Sequence, residues 1–162
     1  CFDLNFDELR LKYAAQHPDL IVFTSMYHGG LMQRMWAYSC RAHFVGAIAA
    51  SECPSSILAP TGETIAEGSS YFRRVVATIN TDCRLAHLDY NRGERFTALK
   101  RKYGPLVRIE TPSYLGCAMI SSEHPEIGVE AMIREFEIEP LDEYFARARG
   151  WHRDAANIEP AR

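Results

Sequence analysis

Cys1 stands a few residues ahead of Asn5-Phe6-Asp7-Glu8, a capping residue followed three positions later by Glu, which is a capping-box pattern. A thiol held near the amino end of a helix meets unpaired backbone amides that favour the thiolate. Such amides can also hold a developing oxyanion. Taken alone, the same residue reads more readily as a small apolar side chain at a strand end. A second place for chemistry is the loop Met26-Tyr27-His28-Gly29-Gly30. It follows an apolar run, where α/β folds place ligand contacts. No Lys-Ser/Thr follows the two glycines, so this is not a phosphate-binding loop. Cys40 and His43 share a helix face, yet two ligands make no metal site, and they read as a buried thiol and a helix-end imidazole. Neither a metal nor a cofactor is expected.

These residues need elements to position them. Phe6, Leu9, Tyr13 and Ala14 recur at helical spacing and predict a helix over 6–17. Asp19 to Ser25 reads as a buried strand, 31–43 as a second helix, and Val45 to Ala50 as another strand. Ser56 to Ala59 and Thr64 to Glu67 flank the turn Pro60-Thr61-Gly62-Glu63 and predict a hairpin. Arg73 to Asn80 alternates and predicts a further strand. This order implies a layered α/β architecture. Beyond it, 92–103 reads as a basic surface helix, 106–110 and 115–121 as short strands, and 125–136 and 140–149 as helices. A shift in composition near residue 90 marks an appended C-terminal region.

Composition narrows the class. The chain has 162 residues, 47% hydrophobic and 24% charged, which suits one globular domain of ordinary size. Eighteen basic against 21 acidic residues leave a net charge of −3, too balanced for an electrostatic nucleic-acid binder. No apolar run reaches the roughly 18–20 residues of a membrane span. Five isolated cysteines, with no CxxC pair and no apolar leader at the start, point to a reducing, cytoplasmic setting.

Cys1-Phe2-Asp3-Leu4-Asn5-Phe6-Asp7-Glu8-Leu9-Arg10 resembles the nucleophile segment of the nitrilase, or carbon–nitrogen hydrolase, superfamily, commonly written C-[YF]-D-x-x-[FY]-P-E-x-x-R. Asp7 stands where the family usually has Pro. Three further motifs follow in the family's order. The strand at 19–25 is similar to the one the family writes AD-[LI]-[LI]-x-x-[PS], Trp36 with Arg41-Ala42 to its "W…RA" helix, and Ser55 to Glu63 to its hairpin. After Arg41-Ala42 the family continues with Glu-Asn, where this chain has His43-Phe44. The resemblance covers residues 1–104; residues 105–162 form a C-terminal extension of short strands and helices that matches no motif.

The resemblance implies an α-β-β-α sandwich of which this chain is the C-terminal part. It implies an amidase, ureidase or nitrilase-like hydrolase with Cys1 as nucleophile and a thioester-type intermediate. The Phe2 backbone amide would help hold the oxyanion. The family's Glu base and its Lys lie upstream of the nucleophile, and this chain starts at the nucleophile, so the chain alone is expected to be inactive. Tyr27 and His28 would rim the pocket of a small amide or nitrile substrate. A homodimer or larger assembly is expected, with no nucleic-acid or membrane partner. Asp3 reads as a structural turn residue, because a carboxylate beside a thiolate opposes its ionisation. Two rival readings remain at this stage. One is an N-terminal-nucleophile hydrolase using the amine of Cys1 as base. The other is a non-catalytic scaffold or pseudoenzyme of the same fold.

Overall fold

The computed structural model of the chain describes residues 1–50, 52–69, 71–89, 92–112, 114–154 and 157. Among these the fold is mixed α/β, with two sheets and five α-helices. The chain divides into two units, Cys1–Thr81 and Asp82–Arg162. Residue 104, where the segment covered by the resemblance ends, lies within the second unit.

The first unit begins with a 3-10 turn, Phe2–Asn5, and then α1 (Asp7–Ala14). The capping box read from Asn5 and Glu8 does not form. Phe6 caps α1 with no side-chain bond, and Asn5 instead closes its own turn, its Nδ2 donating to the Phe2 carbonyl at 3.1 Å. The side chain that could cap the helix is engaged one turn earlier. β1 (Leu20–Ser25), α2 (Leu31–Cys40) and β2 (His43–Ile48) form a parallel β-α-β unit in which Leu20 faces His43 and Ser25 faces Ile48. α2 stops three residues short of the predicted end. Arg41 turns left-handed (φ 56°), and the Ala42 and Arg41 amides donate to the carbonyls of Ala37 and Tyr38, which closes a Schellman-type cap. The released chain can then start β2 two residues earlier than its apolar run implies.

β3 (Ser56–Leu58) and β4 (Thr64–Glu67) complete the sheet in the order β1-β2-β3-β4, the last two pairings antiparallel. Leu4, Trp36, Ala37, Cys40, Ala42, Phe44 and Leu58 form its core, with Ile21 and Phe23 packed against them. Both helices cover this one face. On the other, Leu20 and Val22 of β1 point outward and are exposed. Residues 73–80, predicted as a strand, form no ladder among the described residues. Val75, Ala77 and Ile79 do alternate with exposed Arg74, Val76 and Thr78, so the period-2 pattern is present. Alternation specifies an extended backbone, but a strand also requires a neighbour to bond.

The second unit holds an antiparallel sheet in the order β5-β7-β6: β5 (Cys83–His87), β6 (Val107–Glu110) and β7 (Cys117–Ser122). β5 carries no β-branched residue and was not predicted; pairing with β7 makes it a strand. α3 (Gly93–Tyr103), α4 (Val129–Glu135) and α5 (Leu141–Arg153) complete the unit. α4 starts later than predicted, because His124 Nδ1 accepts the Glu126 and Ile127 amides in a turn first. The core is Leu99, Val107, Ile120, Val129, Met132 and Ile133, all essentially inaccessible to solvent. Fully burying each such side chain contributes roughly 1.5–3 kcal/mol.

Candidate functional site

The predicted site residues come from two short segments of the first unit: the turn that begins at Cys1 and the loop that leaves β1. Cys1 is exposed and caps the Phe2–Asn5 turn. It therefore does not abut the amino end of α1, whose first amides lie beyond Phe6. Nor is it followed by a strand, which the N-terminal-nucleophile reading needs. Asp3 serves the turn through its backbone, its carbonyl accepting the Phe6 amide at 3.2 Å.

The turn is pinned from below. The indole Nε1 of Trp36, on α2, donates to the Leu4 carbonyl at 2.8 Å, with both residues buried. Trp36 is thus a core residue with one directed bond to the candidate nucleophile segment. Gly29 packs on the same spot. Its φ is +79°, and a Cβ there would come within 2.8 Å of Leu4 Cδ1. Only glycine tolerates both the left-handed backbone and that approach.

The turn is also held from the side. The Phe2 and Tyr27 rings stack with centroids 4.9 Å apart and planes 11° from parallel. Tyr27 Oη donates to Asn5 Oδ1 at 3.4 Å, and the Tyr27 amide donates to Ser25 Oγ at 2.8 Å. The candidate nucleophile segment and Tyr27 are therefore in direct contact, although 22 residues separate Asn5 from Tyr27. His28 lies in the same loop, half-buried, its Nδ1 accepting the Gly30 amide at 3.1 Å. That bond leaves the other ring nitrogen, Nε2, to carry the proton. Nε2 is shielded from solvent and makes no hydrogen bond.

The loop after β2 adjoins this region, because the Ala49 amide donates to the Ser25 carbonyl at 2.8 Å. It borders a cavity of about 170 Å³ lined by Ile48, Ala50, Cys53, Pro54, Gly68 and Arg73. Beneath both loops lies a polar residue with no signal in the sequence pattern, Gln33 of α2, 1% exposed. Its Nε2 donates to the His28 carbonyl, and its Oε1 accepts from Ser56 Oγ at 3.4 Å.

Cys40 and His43 are both buried, Cys40 in the same core cluster as Leu4 and Trp36. Cys40 Sγ lies 3.8 Å from the Arg10 carbonyl, and burial pushes its thiol pKa up, against the opposing charges of Arg10 and Arg41. Burial pushes the His43 imidazole pKa down, opposed by the Asp19 backbone and carboxylate. Among the described residues no three His, Cys, Asp or Glu side chains cluster as metal ligands, and no helix is long and apolar enough to cross a membrane.

The arrangement offers an exposed thiol on a turn fixed by a buried hydrogen bond, beside an aromatic ring, with a half-buried imidazole in the neighbouring loop. No family model matches the chain, and no curated protein matches it significantly.

Proposed function

We propose that this chain is the nucleophile-bearing part of a carbon–nitrogen hydrolase that cleaves a small amide, ureide or nitrile through Cys1. The observation that carries the reading is the Phe2–Tyr27 stack beside the buried Trp36–Leu4 bond. Together these hold Cys1 and the β1 loop at one place, as a nucleophile and its substrate pocket must be held. The one-sided first sheet agrees with it, since one α-β half of an α-β-β-α sandwich carries helices on a single face.

In this reading the Cys1 thiolate attacks the substrate carbon, forming a C–S bond. For an amide, the tetrahedral adduct then expels the amine, which takes up a proton as the C–N bond breaks. The thioester left behind is attacked by water, releasing the carboxylic acid and restoring the thiol. The Phe2 amide serves the oxyanion. Tyr27 offers an aromatic face, and His28 offers Nε2–H if the loop opens toward substrate. The general base and the ammonium group that the chemistry needs come from outside residues 1–162. A cytoplasmic homodimer or larger assembly belongs to the same reading.

The test uses the intact protein that carries this chain. It is incubated with a panel of short primary amides, N-carbamoyl compounds and nitriles, and ammonia release is measured. Turnover of at least one class that disappears in Cys1→Ser, with the melting temperature unchanged, supports the proposal. No turnover of any class, or turnover that survives Cys1→Ser, refutes it.

A further inference from the structure

We infer that Gln33 is a positioning residue for the Tyr27–Gly30 loop, and that Gly46 is glycine because the Gln33 amide occupies the space a side chain would take. The inference rests on the proposed hydrolase reading only for its kinetic consequence; the geometry stands without it.

Burying an amide side chain costs free energy unless both its ends are bonded. An apolar residue would fill the same core volume without that cost. Gln33 is nonetheless 1% exposed, and each end of its amide is engaged by a different element. Nε2 donates to the His28 carbonyl, within the loop that carries Tyr27, and Oε1 accepts from Ser56 on β3. The side chain therefore ties the loop to the sheet. A buried polar link satisfied at both ends fixes one geometry, because any other leaves a group unpaired.

Gly46 of β2 supplies the floor. A Cβ built on it would overlap Gln33 Oε1 and come within 2.9 Å of its Cδ, and its three nearest atoms all belong to Gln33. No backbone requirement explains this glycine, since its φ is not among the positive values. Its register partner on β1 is Phe23, one strand from the loop. The glycine and the glutamine thus form one device. The turn carrying Cys1 keeps its Trp36 bond whatever stands at position 33, but it also leans on Tyr27 of this loop through the Phe2 stack and the Asn5 hydrogen bond.

Hydrogen exchange on the intact protein tests this, using Gln33→Ala, the volume-conserving Gln33→Met, Gly46→Ala and the double variant Gln33→Ala/Gly46→Ala. Exchange at the Tyr27, Gly30 and Met32 amides is expected to rise about tenfold in each single variant, the effect of losing about 1.4 kcal/mol of local stability. The Ala49 amide, bonded to β1, should stay within about twofold. The double variant should exchange no faster than Gln33→Ala alone, because a methyl group at 46 then meets empty space. If the protein hydrolyses a substrate, KM should rise about tenfold in Gln33→Met, by a larger factor than kcat falls, because the Cys1 turn keeps its Trp36 bond while its Tyr27 partner is loosened. Unchanged loop exchange in Gln33→Met, or multiplying effects in the double variant, overturns the inference. Absence of hydrolysis would refute the proposed function and leave the exchange result to decide the role of Gln33.

Discussion

Replacing Trp36 by Phe probes the attachment of the Cys1 turn. The indole N–H is the donor to the Leu4 carbonyl at 2.8 Å, and Leu4 is 4% exposed. Phe keeps an aromatic ring against Tyr13, whose centroid lies 5.4 Å from that of Trp36. What is lost is the bond, and the carbonyl is left buried without a partner. Leaving a buried group unsatisfied costs about 1–3 kcal/mol. The volume removed adds roughly 1 kcal/mol. A loss of about 2–4 kcal/mol confined to the turn corresponds to exchange some 30- to 700-fold faster, at about 1.4 kcal/mol per tenfold. The assay is native-state hydrogen exchange read at the Phe6 amide, which donates to Asp3 within the turn, and at the Leu9 amide, which donates to Phe6. Amides of the second unit serve as the internal control. Cys1 alkylation by iodoacetamide, followed by peptide mass spectrometry, reports the same opening at the thiol. If Phe6 and Leu9 exchange at the wild-type rate in Trp36→Phe, the turn is not held by this bond and the account of the site fails.

Other expected outcomes follow from the same structure. Gly29→Ala should lower stability by about 2–4 kcal/mol, from a left-handed backbone and contact with Leu4 Cδ1. Gly30→Ala, with nothing within 4 Å of the added methyl, should cost only the strain of its φ +48°, ψ −118° backbone, about 1–3 kcal/mol; a melting temperature for Gly29→Ala no lower than that of Gly30→Ala would contradict the Leu4 contact. His43 has its pKa lowered by burial, so below about pH 6.5 the unfolded chain takes up a proton that the folded chain resists. Its contribution is present above that pH and is lost as pH falls toward the depressed folded value. His43→Gln should therefore flatten the fall in urea midpoint between about pH 6.5 and 5; an unchanged slope would refute this. Ile120 is fully buried between the other strands of the second sheet, so Ile120→Ala should cost about 2–5 kcal/mol and Ile120→Val about 0.5–1.5, measured by urea denaturation.

Much of the first unit is legible in sequence because its signals are local. The apolar run before Ser25 gives β1, the turn residues Pro60 to Glu63 give the hairpin, and the helix read over 31–43 is α2 for its first ten residues. Where the reading departs, a non-local partner decides. Asn5 carries the residue type of a helix cap but bonds Phe2 and Tyr27 instead. Residues 73–80 have the alternation of a strand without a ladder. Cys83 to His87 have the ladder without the alternation. The site divides similarly. Cys1, Phe2, Tyr27 and His28 stand out by type and motif, and Phe2 and Tyr27 meet, with Cys1 next to Phe2 at the start of the turn. Leu4, Gly29 and Gln33 do not, because a carbonyl acceptor, a close approach and a buried amide leave no pattern in a single sequence. Trp36 shows how a residue on an apolar helical stripe can also supply a specific hydrogen bond.

The central claim is tested most directly by trapping the covalent intermediate. The intact protein is mixed with a substrate that it turns over, quenched in acid within its first turnovers, digested, and examined by mass spectrometry. The account predicts an acyl adduct on the peptide that contains Cys1, absent in Cys1→Ser and released by hydroxylamine as a thioester should be. An adduct on Cys40, Cys53, Cys83 or Cys117 instead, or steady turnover by Cys1→Ser, would contradict it.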